Sequence, residues 1–132
     1  MELNKKIIFL IEDDVAIIDV YKTVFKVSGI DFEVISWGKQ AIDRIKEVQC
    51  GIIEKPKLVL LDLILPDMNG VEILREIRGN EKTKDIAVFV LSNYTSEEFS
   101  KVDGVKPDKF ILKTSITPTK LVKLIKIQFK KD

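Results

Sequence analysis

Short apolar runs alternate with longer segments of helical period along the chain. Residues 7–11, 58–61 and 86–91 are almost wholly apolar, as strands covered on both faces of a parallel sheet must be. Residues 32–35 and 110–112 read as two shorter strands of the same set. Between them, residues 15–27 carry Ile18, Tyr21, Val24 and Phe25 on one helical face and stop before Gly29. Residues 40–48 bring Ala41, Ile42 and Ile45 together, and 71–78 group Val71, Leu74 and Ile77 ahead of Gly79. Thr95 and Glu98 have capping-box spacing, which predicts a short fourth helix over residues 96–102. Thr117-Pro118 supplies a cap and a first-turn proline for a last helix.

Five strands alternating with five helices predict an α/β fold. The expected form is a flavodoxin-like, doubly wound, five-stranded parallel sheet in the order 2-1-3-4-5, with right-handed crossovers. No internal repeat, low-complexity tract or linker breaks the pattern, so residues 1–132 are expected to form one domain.

Composition acts mainly by exclusion. Lys and Arg number 22 against 21 Asp and Glu, and the formal charge of +1 offers no overall field for nucleic acid or membrane. Cys50 is the single cysteine, so no internal disulfide can form and a reducing compartment is the expected home. Lys5-Lys6 and the apolar run after them faintly resemble a secretory signal, yet that run is too short and meets Glu12-Asp13-Asp14 directly. No stretch approaches the roughly 20 apolar residues that span a bilayer. A soluble, cytoplasmic protein is expected. Histidine is absent, so the chemistry must run on carboxylates, lysine and hydroxyls.

Ligands of an open parallel sheet bind beyond the carboxyl ends of its strands. Those ends carry Glu12-Asp13-Asp14 after the first strand, Asp62 after the third, Ser92-Asn93 after the fourth and Lys113 after the fifth. The first and third strands are neighbours in the expected order, so their carboxylates converge and repel. A bound dication relieves that repulsion, and hard oxygen ligands without histidine or thiolate favour magnesium. A carboxylate beside magnesium, with a lysine and a hydroxyl opposite, is equipped to accept a phosphoryl group. Singly, each residue has an ordinary explanation: acids after a strand cap helices, and a lone Asp, Ser or Lys is a turn or surface residue. Their coincidence at one sheet edge is what singles them out.

These residues resemble the receiver domain of bacterial-type response regulators over nearly the whole chain. Ile7 through Asp14 is similar to the family's first strand and acid pair, and Ser36-Trp37-Gly38-Lys39-Gln40-Ala41-Ile42 to its second-helix entry. Leu58-Val59-Leu60-Leu61-Asp62-Leu63-Ile64-Leu65-Pro66-Asp67-Met68-Asn69-Gly70 resembles the phosphoacceptor segment and is the most specific signal. Val90-Leu91-Ser92 and Phe110-Ile111-Leu112-Lys113 match the remaining sites. The resemblance implies Asp62 as phosphoacceptor, with Mg2+ held by Asp13, Glu12, Asp62 and the Ile64 backbone carbonyl. Lys113 would contact the phosphoryl group, Ser92 would be the switch hydroxyl, and Phe110 the aromatic that swings inward. A sensor histidine kinase or phosphotransfer protein would be the donor. A downstream protein target would read the surface of the last two strands with the fourth and fifth helices, and no output domain is expected in these residues.

Some positions depart from the family pattern. Thr114 stands where a proline in a cis bond normally follows the lysine, which predicts a trans bond or an altered loop. Ile64 and Tyr94 occupy the two positions over the acyl phosphate, where an apolar and an aromatic residue should exclude water and slow its hydrolysis. In the last helix Lys120, Lys123, Lys126 and Lys130 lie opposite Leu121, Val122, Leu124, Ile125 and Phe129, a solvated face over a buried one. Ile127 among the lysines keeps a homodimer through this helix open, while nucleic-acid binding finds no basic match elsewhere. Two other readings stay in play. One is a degenerate receiver serving as a phosphorylation-independent interaction module. The other is an enzyme on the same fold, a magnesium phosphatase or a flavin protein; the first lacks a convincing second aspartate, since Asp67 lies beyond a Pro66 turn, and the second lacks a phosphate-cradling loop after the first strand.

Overall fold

The computed structural model describes residues 7–93 and 105–131. The apolar runs become β1 (Ile7–Ile11), β2 (Asp31–Ile35), β3 (Leu58–Asp62), β4 (Ala87–Ser92) and β5 (Lys109–Leu112), all parallel in the order β2-β1-β3-β4-β5. The helices among the described residues are α1 (Val15–Val27), α2 (Gly38–Gln49), α3 (Gly70–Arg78) and α4 (Pro118–Lys130), with a 3-10 turn at Lys113–Ser115. The expected helix over 96–102, its Thr95–Glu98 cap and Tyr94 lie outside the described residues.

Successive side chains of a strand point to opposite faces, so each apolar run feeds two cores. Phe9, Ile11, Val59, Leu61, Val88 and Val90 pack on Ala41 and Ile45 of α2 and on Leu74 and Ile77 of α3. Ile8, Leu10, Leu58, Leu60, Phe89 and Leu91 pack on Tyr21 and Phe25 of α1 and on Leu121 and Ile125 of α4. This double cover explains why β3 and β4 are buried along their whole length.

Helix starts follow their caps. Asp14 Oδ1 accepts the N–H groups of Ala16 and Ile17 at 3.0 and 3.2 Å, and Thr117 Oγ1 accepts that of Lys120 at 3.2 Å. Gly29, at φ 71°, closes the end of α1. α2 starts at Gly38, two residues ahead of the sequence expectation, although Trp37 before it offers no side-chain cap. Its cap arrives from another loop, as described below.

At the amino ends of β4 and β5, Arg78 ties three segments together. Its Nε donates to the Lys106 carbonyl at 3.0 Å and its Nη1 to the Lys84 and Ile86 carbonyls at 2.9 and 2.7 Å. Its Nη2 donates to Asp108 Oδ1 at 2.8 Å. The clamp holds the end of the sheet remote from the carboxyl edge.

Candidate functional site

The parallel register sets Ile11 beside Leu61, Asp62 beside Leu91, and Ser92 beside Leu112. The residues that follow each strand therefore emerge at one edge. Glu12 is held there by its N–H, which donates to the Ile35 carbonyl at 3.0 Å. Its Oε2 accepts the N–H groups of Asp13 and Asp14 at 3.1 and 3.2 Å, which leaves Oε1 for Lys113. Lys113 Nζ lies 2.8 Å from Glu12 Oε1 and 3.3 Å from Asp62 Oδ2. All three side chains are nearly out of water, with exposures of 13% for Lys113, 2% for Glu12 and 8% for Asp62.

Burial pushes the Glu12 carboxyl above its usual range; the Lys113 hydrogen bond opposes the shift and the Asp62 charge adds to it. Burial also works to lower the Lys113 ammonium. It is outweighed by the hydrogen bond and charge of Glu12 with the charge of Asp62, and the net shift is upward. One buried cation thus bridges two carboxylates that would otherwise repel.

Asp13 completes the cluster from the solvent side. Glu12, Asp13 and Asp62 each offer a carboxylate oxygen, all within 4.8 Å of one another. Converging hard oxygens without imidazole or thiolate suit a small dication, so the donor set fits magnesium. Ile64 donates its N–H to Asp62 Oδ1 at 3.3 Å, and the residue is 54% exposed. Ser92 is fully buried at the end of β4. Phe110 is half-buried on β5 against the α2–α3 core and lines a groove of about 500 Å3 with Leu112, Ile116, Lys120 and Leu124. Glu12, Asp13, Asp62 and Lys113 are therefore brought together as expected, whereas Tyr94 lies outside the described residues. No peptide bond among the described residues is cis, so the Lys113–Thr114 bond is trans, one of the two outcomes that Thr114 left open.

Two features of the β3–α3 loop escaped the sequence reading. Asp67 Oδ1 accepts the Gly38 N–H at 2.7 Å and Oδ2 the Lys39 N–H at 2.9 Å, so this aspartate caps α2 across the site. The Lys39 and Gly38 bonds hold its carboxyl below the usual range. Asp67 thus has a structural task that accounts for it without acid–base chemistry. The missing local cap at Trp37-Gly38 was the available signal. Gly70 is demanded by contact: a Cβ there would collide with the Asp62 carbonyl oxygen and stand 2.8 Å from Leu63 Cα. The loop must fold back onto Asp62 that closely, since the Gly70 N–H donates to the Leu63 carbonyl at 2.6 Å.

Comparison with known proteins agrees with this geometry. The family model described as response regulator receiver domain matches residues 8–126. The DNA-binding response regulator MtrA of Mycobacterium tuberculosis is 26% identical over 132 residues, covering 100% of this chain and 54% of that protein. The chain thus spans about half the length of the curated relatives of this kind that it matches. A CheY-like receiver domain protein from Methanospirillum hungatei superposes with a TM-score of 0.77 at 26% identity, over 96% of this chain and 98% of the other. The receiver domain of sensor histidine kinase PA1611 from Pseudomonas aeruginosa has magnesium coordinated in its active site cleft. It matches with a TM-score of 0.78 at 18% identity, over 93% and 96% of the two chains, which speaks for the fold alone.

Proposed function

The chain belongs to the response regulator receiver family, and from that premise we propose that Asp62 accepts a phosphoryl group from a histidine kinase or phosphotransfer protein. The observation that carries this reading is the Lys113 ammonium, buried between Glu12 and Asp62 at the carboxyl edge of the sheet. An Asp62 oxygen attacks phosphorus, the P–N bond to the donor imidazole breaks, and the imidazole leaves with its electron pair. The product is an acyl phosphate. Glu12, Asp13, Asp62 and the Ile64 carbonyl would hold magnesium, which when bound offsets the charge of the carboxylates and of the transferring group.

Lys113 then exchanges its Asp62 contact for the phosphoryl oxygens, and the Ser92 hydroxyl donates to them. The new contacts bias a two-state equilibrium in which Phe110 turns inward. The signal leaves through β4, β5 and α4 with the segment between them, where the exposed lysines and Ile127 of α4 meet a downstream protein. Among the described residues no helix is long and apolar enough to cross a membrane. With a kinase as donor, we place the protein in the cytoplasm; it catalyses only its own phosphorylation and dephosphorylation.

Acetyl phosphate and beryllofluoride titrations, with and without magnesium, test the reading on wild type and Asp62→Asn. One phosphoryl increment in intact mass, dependent on magnesium and absent from the variant, is expected. Failure of both ligands to bind the wild type would instead make the domain a phosphorylation-independent interaction module.

A further inference from the structure

Helix α1 is apolar on nearly every side, yet the sheet buries only one of them. Asp19, Lys22 and Lys26 are its only charged residues, while Tyr21 and Phe25 face the core. Ala16, Val20, Thr23 and Val27 are all exposed, Val20 by 48% and Val27 by 86%. Their 4-3-4 spacing aligns them along one flank, the geometry of a helix–helix seam. Valine is a poor choice for a solvated helix surface, since it lowers helix propensity and leaves apolar area in water. Thr23 fits the seam because its hydroxyl donates to the Asp19 carbonyl at 3.0 Å, which satisfies its polar group within the helix. A helix that is apolar nearly all round is normally covered.

We propose that α1 packs antiparallel against α1 of a second copy, about a two-fold axis at Thr23. Ala16, Ile17, Val20, Tyr21 and Pro118 line a groove of about 220 Å3 at one end of the seam. Val27, seven residues on from Val20, stands about 10.5 Å away along the axis. Each copy therefore carries a knob and a groove two turns apart, and one antiparallel pairing fills both grooves at once. Asp19 and Lys26 have the same seven-residue spacing and flank the seam on one side. The two-fold axis sets Asp19 of one copy opposite Lys26 of the other, and among the described residues neither is otherwise in an ion pair. One 13-residue helix covers less than a standard interface of about 800 Å2 per partner, so the dimer is weak and concentration-dependent.

Sedimentation velocity of the full chain from about 10 µM to about 1 mM tests this, the range over which a small interface populates its dimer. Wild type should sediment faster as concentration rises, while Val27→Glu stays monomeric and still accepts a phosphoryl group. Asp19→Lys should weaken association by about tenfold or more, and the double exchange Asp19→Lys with Lys26→Asp should restore it. In a Cys50→Ser background, Thr23→Cys should form a covalent dimer under mild oxidation. A wild type monomeric throughout would overturn the proposal. So would association that survives Val27→Glu but is lost in Lys123→Glu, which would place the contact on α4, or a charge exchange that fails to restore pairing.

Discussion

Replacing Asp62 by asparagine should stabilise the protein when no divalent cation is present, even though it removes an ion pair. The Asp62 carboxylate lies within 4.8 Å of oxygens on Glu12 and Asp13, and 3.3 Å from Lys113 Nζ. At an effective dielectric near 20, each carboxylate pair repels by about 3.5 kcal/mol or more, while the lysine contact returns about 5 kcal/mol. Asp13 is exposed and its share is screened by water and salt, which brings attraction and repulsion close to balance. The desolvation of a buried carboxylate then decides the sign, because asparagine fills the same space without a charge. Its side-chain oxygen also keeps the Ile64 N–H bond, and Lys113 keeps Glu12. A gain of about 1 kcal/mol is expected, or about 3–5 °C in Tm for a chain of this size. Urea unfolding of both proteins in EDTA measures it. Magnesium at ten times its dissociation constant should stabilise wild type alone by about 1.4 kcal/mol and close the gap. If Asp62→Asn is less stable in EDTA, or magnesium raises both proteins equally, the picture of a strained acidic cluster held by Lys113 is wrong.

Three further outcomes follow from other parts of the structure. Arg78→Met should lower stability by about 2 kcal/mol in urea, mostly by leaving the buried Ile86 carbonyl without its donor, while phosphoryl uptake at the opposite sheet edge is unchanged. The Asp67 carboxyl is depressed in the fold, so its contribution is present above the unfolded carboxylate value and fades as pH falls through the lower folded value. Asp67→Asn should flatten that acid limb in pH-dependent unfolding and speed amide exchange at Gly38 and Lys39; an unaltered acid limb would exclude the cross-loop cap. Ile64→Asn should shorten the acyl-phosphate lifetime several-fold in a phosphate-release assay, because a polar side chain can there orient the attacking water. An unchanged lifetime would remove Ile64 from that role.

Much of this protein is legible along the chain. Residues 58–61 and 86–91 are apolar without alternation, and only a strand covered on both faces accounts for that. Once the strand order is expected, the positions of Glu12, Asp13, Asp62, Ser92 and Lys113 follow, since every parallel strand delivers its next residue to the same edge. Asp14 and Thr117 likewise announce their helices, because a cap acts within three residues of itself.

What needed the folded molecule is whatever joins residues far apart in number. Asp67 caps a helix that begins 29 residues before it, and Arg78 closes its clamp on Asp108, 30 residues later. The choice of Lys113 for both Glu12 and Asp62 depends on distances of a few tenths of an ångström that no spacing encodes. Exposure of the Val20–Val27 flank of α1 was equally hidden, because a periodicity of apolar residues states that a face should be covered and leaves open which neighbour covers it. Local pattern determined the elements and their order, since helix and strand preferences act over a few residues. Tertiary structure decided the partners, since ion pairs, caps and contacts depend on separation in space.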